Sequence, residues 1–149
     1  MTAEELLERY AAGERDFSGV EVRASDELVG SNLTGINLSE AILAEMILER
    51  VDWSDAILIN AHFGQTALNG ANLQRVDLSG ATLTFGSLDD ADLTDARLIG
   101  ADLEGTDMRN VNFTRSNLTG AKTSDNPYFI GSIFNNTIMP NGDIRTDNI

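Results

Sequence analysis

From Leu28 to Leu118 every fifth residue is large and apolar, nineteen in unbroken succession. Leu fills most of these positions, with Trp53, Phe63, Met108 and Phe113 as the variants. Two residues earlier stands a small or β-branched side chain, as at Ala41, Val51, Ala71, Ala91 and Val111. The residue just before the large one is usually polar, as at Asn32, Asp52, Asn72, Asp77 and Asp102, and the two after it are mostly Ser, Thr, Gly or charged. A helix needs apolar spacing near 3.6 and a half-buried strand needs 2.0 throughout. A period of five fits neither. It fits short extended pieces that point one small and one large side chain inward, each followed by a two-residue corner.

One such unit cannot bury its own apolar pair, so the chain is predicted to coil and stack, one turn on the next at about 4.7–4.9 Å. Alternating small and large inward residues fill a narrow shaft at the density of protein interiors. Each buried Leu contributes about 1.5–3 kcal/mol. The outward Asn, Asp, Ser and Thr are expected to satisfy corner amides and carbonyls that the ladder leaves free.

The runs Ala71-Asn72-Leu73-Gln74-Arg75, Val76-Asp77-Leu78-Ser79-Gly80, Ala91-Asp92-Leu93-Thr94-Asp95 and Ala101-Asp102-Leu103-Glu104-Gly105 resemble the A(D/N)LXX unit of the pentapeptide-repeat family. That resemblance implies an all-β fold, a right-handed, four-sided parallel β-helix with four units per coil and about five coils. Family members from cyanobacteria begin with a similar short helix, so the resemblance also points to that source.

Outside the repeat the chain divides into an N-terminal cap over 1–14, the solenoid over 15–122, and a closing segment over 123–149. Residues 2–12 read as a capping helix: Thr2 and Glu5 form a capping box, Leu6, Leu7 and Tyr10 an apolar stripe, and Gly13 a stop. Phe17 and Val22 keep the five-residue step but are out of phase with Leu28, which predicts a one-residue insertion near Arg23–Asp26. The phase breaks again at Thr123. Tyr128, Ile133 and Ile138 are read as restoring it, Asn126-Pro127 as a turn, and Asn141-Gly142 as a hairpin-type turn that closes the second end. Arg145 to Ile149 are expected to be loosely ordered.

With four units per coil, residues four units apart stack directly. One outward column then reads Asp55, Arg75, Asp95, Arg115, an alternating charge ladder, and another reads Asn32, Asp52, Asn72, Asp92, Asn112.

Composition narrows the function. The chain has no Cys, which removes disulfides and thiolate metal sites, and no apolar stretch approaches the roughly 20 residues of a membrane span. The N-terminus is acidic and has no export signal, so a cytoplasmic protein is expected. A net charge of −14 disfavours direct binding to nucleic acid or anionic membranes and leaves open a basic protein partner.

Catalytic material is sparse. His62 is the sole histidine, points outward, and has neither a Cys nor a spaced Ser–Asp pair to work with. Asp89, Asp90, Asp92 and Asp95 form the densest acidic cluster, but mostly at corners and without calcium-loop spacing. The scattered corner glycines make no phosphate loop. The expectation is no enzyme, no cofactor and no metal. The features that break the pattern are Ile42, Ile47, Ile57, Ile59 and Ile99, apolar at outward positions, with Phe85 in a corner. Grouped apolar exposure marks a partner site, and these isoleucines are the candidate partner-binding residues.

Two functions follow. One is a rigid acidic scaffold that binds a protein partner, expected as a monomer rather than a dimer. The alternative comes from the resemblance: some family members are acidic rods that mimic duplex DNA in type II topoisomerases. About five coils give a rod of about 25 Å. Duplex DNA of that length carries about 15 phosphate charges, close to −14. A metal-dependent enzyme on the Asp89–Asp95 cluster is a distant third.

Overall fold

The computed structural model describes residues 1–124 and 129–148. The turn expected at Asn126-Pro127, Tyr128 and Ile149 lie outside the described residues.

The repeat folds as the period demands. From Asn32 to Lys122 the residue before the large apolar one makes a parallel bridge to its counterpart in a neighbouring coil, and these bridges join residues four units apart. Four ladders result, which we number as walls. The first runs through Asn32, Asp52, Asn72, Asp92 and Asn112; the second through Asn37, Ile57, Asp77, Arg97 and Asn117. The third passes Ile42, His62, Thr82 and Asp102, and the fourth Ile47, Ala67, Ser87 and Asp107. Four five-residue units therefore close one coil of a parallel β-helix.

Each corner is a tight turn. In most corners the carbonyl of the large apolar residue accepts from the amide three residues on, as in Ala41 to Leu38 at 3.0 Å and Ala81 to Leu78 at 3.0 Å. The second corner residue is left-handed in every coil, with φ near +60° whether it is Gly80, Asp55, Arg75 or Phe85. That pattern matches a type II turn. The polar residue ahead of the corner has a specific task. Its side-chain oxygen accepts from the first corner amide, as Asn32 does from Thr34, Asp52 from Ser54, Asp92 from Thr94 and Asn117 from Thr119, at 3.0–3.1 Å. This is why Asn and Asp dominate there: a short acceptor two residues back mimics a backbone carbonyl.

The large inward column is buried from Leu28 to Leu118 without exception, and the small one is buried except at Ser31 and Gly86, which are half-buried. Below the fourth wall the small column reads Met46, Thr66, Gly86, Thr106, and its hydroxyls are satisfied internally: Thr66 donates to the Leu43 carbonyl at 2.9 Å and Thr106 to that of Leu83 at 2.8 Å. Gly86 is required by space. A Cβ there would lie 2.5 Å from the Thr66 carbonyl oxygen.

Helix α1 (Ala3–Ala11) covers the first coil. Thr2 caps it with the expected box, and Ala3 and Leu6 are buried in the core. Tyr10 anchors it further, its hydroxyl donating to the Thr34 carbonyl at 2.8 Å. Asp16 and Glu21 bridge to Asn37 and Ile42, a step one residue longer than the one from Asn32 to Asp52. The extra residue thus falls between Glu21 and Asn32, the interval that contains the expected insertion.

The closing segment departs from expectation in three respects. Stacking does not stop at 122: β1 (Ile133–Ile138) bridges in parallel to Asn112 and Asn117, so it continues the first and second walls. Those bridges are again one residue longer than the step within the shaft, and so Ile133 and Ile138 occupy the outward positions while Phe134 takes the buried centre. The five-residue step between the isoleucines is real, but its phase is shifted by one. Lastly, Arg145 to Asn148 lie within β2 (Ile144–Asn148), which pairs antiparallel with β1 across the Asn141-Gly142 turn. The Arg145 guanidinium lies 4.0 Å from the Phe134 ring centre, which ties the strand to the core. Phe113 and Phe134 stack at 5.3 Å, and Phe129 meets both edge-on, closing the shaft.

Candidate functional site

The interior is filled with side chains, which leaves the walls and corners as the exposed surface. Ile42, Ile47 and Ile57 are 43%, 46% and 42% exposed, but they sit on the third, fourth and second walls respectively. Ile59 and Ile99 are half-buried in the corner after the second wall, with Ser79 between them. The five therefore do not compose one flat surface. Ile57, Ile59 and Ile42 lie around a single corner, and Ile47 faces away from Ile57 on the opposite wall.

The wall isoleucines also forgo a bond. Ile42, Ile47 and Ile57 stand where Asn or Asp would accept the corner amide, and an aliphatic side chain offers no acceptor.

His62 is exposed on the third wall between Ile42 and Thr82. The four clustered aspartates separate by column. Asp89 accepts from Arg109, Asp90 from Asn110, Asp92 from Gln74 and Thr94, and Asp95 from Arg115. Among the described residues no three His, Cys, Asp or Glu side chains converge as metal ligands would.

Charged residues pair along the columns. Arg75 reaches Asp55 through two bonds of 2.6 and 2.9 Å, and Arg115 reaches Asp95 through bonds of 2.7 and 2.8 Å. Arg97 sits 3.5 Å from Asp77, and Arg109 3.0 Å from Asp89. In all four pairs the arginine reaches back to the coil before it. The expected continuous ladder is two discrete forks, Arg75–Asp55 and Arg115–Asp95. The arginine hydrogen bonds hold both aspartates below the ordinary carboxylate range.

Phe85 is the side chain the repeat explains least. It is 67% exposed and its backbone is left-handed, a conformation costly for a bulky residue. Its ring lies over Gly105, the equivalent corner residue one coil on, where any Cβ would collide with it. A shallow cleft of about 230 Å³ opens beside it, floored by Thr66, Ala67, Gly86 and Ser87 and rimmed by Gln65 and Asp107. The sequence signal was present, since a large aromatic stands where every other left-handed corner position of the shaft holds glycine or a polar residue.

Among the described residues no helix is long and apolar enough to cross a membrane. No curated protein sequence matches the chain. Solved structures that resemble it include the following three. HetL, a pentapeptide repeat protein involved in heterocyst differentiation regulation from the cyanobacterium Nostoc sp. strain PCC 7120, is 22% identical. The match covers 97% of this chain and 100% of that one, with a TM-score of 0.42. Rfr23, from the cyanobacterium Cyanothece 51142, is 24% identical over 85% of this chain and 98% of its own, with a TM-score of 0.43. A pentapeptide repeat protein of the Arabidopsis thaliana thylakoid lumen is 33% identical over 68% of each chain, with a TM-score of 0.37. The family model described as pentapeptide repeats matches in 8 copies over residues 47–84, 56–95 and 87–122. With the five-residue unit, the four ladders and the left-handed corners already described, that match is decisive: the chain belongs to the pentapeptide repeat family.

Proposed function

We propose that this protein is a non-catalytic, acidic scaffold: a right-handed, four-sided shaft that binds a protein partner through its outer surface. One observation carries the reading. The large inward column is buried from Leu28 to Leu118 and nearly all of the small one with it, so the walls and corners are the surface left to recognise anything. That surface is rigid, because each wall is a backbone ladder, and its acidity suits a basic partner. The isoleucines that give up a corner hydrogen bond, Ile42 and Ile57 with the half-buried Ile59 between them, form the apolar part of the contact. Ile47 and Ile99 lie outside it.

The DNA-mimic reading finds less support in the distribution of charge. Residues 31–124 carry 13 acidic and 6 basic side chains, net −7, half of the chain's −14. Duplex DNA as long as those coils, about 23 Å, carries about 13 phosphate charges. The shaft therefore has about half the charge density it would need, and several of its carboxylates are already paired with arginine.

Affinity capture from the native cell tests the proposal, with wild type beside an Ile42→Ser/Ile57→Ser variant. We expect the wild type to retain a specific protein and the variant, still folded by circular dichroism, to lose it. Equal retention removes the isoleucines from the site, and no retained protein removes the scaffold reading. Inhibition of a type II topoisomerase in a supercoiling assay would favour the DNA mimic instead.

A further inference from the structure

We infer that the corner at Phe85 is a docking site for an arginine side chain of a protein partner. The guanidinium would stack on the Phe85 ring, and the Asp107 carboxylate would neutralise it. The inference rests on the scaffold reading and names a contact that the isoleucines do not supply.

Three independent features converge there. First, Phe85 is held out from the shaft: its φ is +57° and its side chain is 67% exposed. A buried aromatic repays its backbone through packing, but this ring's packing is against Gly105. Second, the surface beside the ring is concave because the neighbouring side chains are small. Gly86 has none, and Ala67 and Ser87 are the outward residues of the fourth wall at that height. The cleft, at about 230 Å³, is smaller than the roughly 300–1,000 Å³ of small-molecule sites, and its size suits one inserted side chain.

Third, the charge around the ring is acidic. Asp107 lines the cleft and is about half exposed. Glu104 is exposed in the next coil of the same corner, where its carbonyl accepts the Phe85 amide at 3.0 Å. Arg109 is the cation nearest Asp107 among the described ion pairs, at 3.7 Å, but it is closer to Asp89, at 3.0 Å. An exposed ring attracts a cation over its face, most often a guanidinium. A planar guanidinium can stack flat on the ring while its in-plane N–H groups donate to a carboxylate, a geometry that a compact lysine ammonium does not match. Phosphates of a nucleic acid would be repelled by the same carboxylates.

The probe is the capped tripeptide acetyl-Gly-Arg-Gly-amide, with the citrulline analogue as an isosteric uncharged control. It is titrated into the ¹⁵N-labelled full chain and followed by amide chemical shifts. We expect shifts confined to Thr84–Ser87 and Asp107, absent with citrulline, and weakened at least tenfold in Phe85→Asn and in Asp107→Asn. Asn tolerates the left-handed backbone, and a thermal melt confirms that each variant is folded. Shifts spread over the acidic walls, or binding unchanged in Phe85→Asn, overturn the inference. So does the absence of any shift. In each of these failures, capture of a partner by the wild type would leave the scaffold reading standing.

Discussion

Arg75 grips Asp55, 20 residues back in the sequence and one coil below in space, through two parallel bonds of 2.6 and 2.9 Å. Arg115 repeats the arrangement on Asp95. Both aspartates have a folded pKa below their unfolded value. Their stabilisation is therefore complete above the ordinary aspartate range and is lost as pH falls through the folded value. Melting temperature should drop on acidification below about pH 4. In Asp55→Asn/Asp95→Asn the same acid titration should show a shallower fall. Both residues are exposed, so the difference should shrink in high salt.

Ile57→Asn should stabilise the fold. The new side-chain oxygen would accept the Ile59 amide as Asn37 accepts that of Ser39 at 3.0 Å. One such bond contributes about 0.5–1.5 kcal/mol. Urea denaturation of the variant beside wild type measures it. A midpoint that falls would show that the isoleucine packs better than the bond it displaces.

Gly86→Ala and Gly64→Ala make a matched pair on nearby units. At Gly86 the added carbon meets the Thr66 carbonyl oxygen at 2.5 Å, a backbone atom that cannot swing aside. We expect a loss of about 1–3 kcal/mol. At Gly64 its nearest neighbour is the Thr84 hydroxyl at 3.7 Å, and the loss of unfolded-chain freedom should give a gain of about 0.4–1 kcal/mol. Thermal melts that rank the two in the opposite order would contradict the packing beneath the fourth wall.

Leu78 is fully buried at a second-wall centre. Leu78→Ala should cost about 2–5 kcal/mol. Leu78→Lys should prevent folding, since a charge would enter the shaft with no partner. Thr82→Lys, outward on the next wall, should change stability by less than about 0.5 kcal/mol. Circular dichroism of the three variants distinguishes the buried column from the ladder beside it.

Much of this architecture was legible because one period governs it. The spacing of the leucines implied a stacked shaft, and the four-unit coil implied by the family resemblance paired Asp55 with Arg75. What escaped is phase. Ile133 and Ile138 keep the five-residue step, yet an added residue before them turns both outward and puts Phe134 in the core. Step and phase are separate quantities, and the isoleucines report the step alone. The candidate site was blurred for a related reason. Residues one unit apart, such as Ile42 and Ile47, are neighbours in sequence but occupy adjoining walls, since every unit turns one corner. Gly86 escaped because its column beneath the fourth wall holds Met46, Thr66 and Thr106, and only the approach of a carbonyl shows why a glycine belongs there.

The four-unit coil makes the protein's length change in quanta. Inserting or deleting four whole units would lengthen or shorten the shaft while every downstream side chain kept its bearing. A change of a single unit would still point one large and one small side chain inward from every unit but rotate all that follows by a quarter turn, presenting a different face to any partner. Variants of this fold can thus re-aim a binding surface without altering a single residue on it.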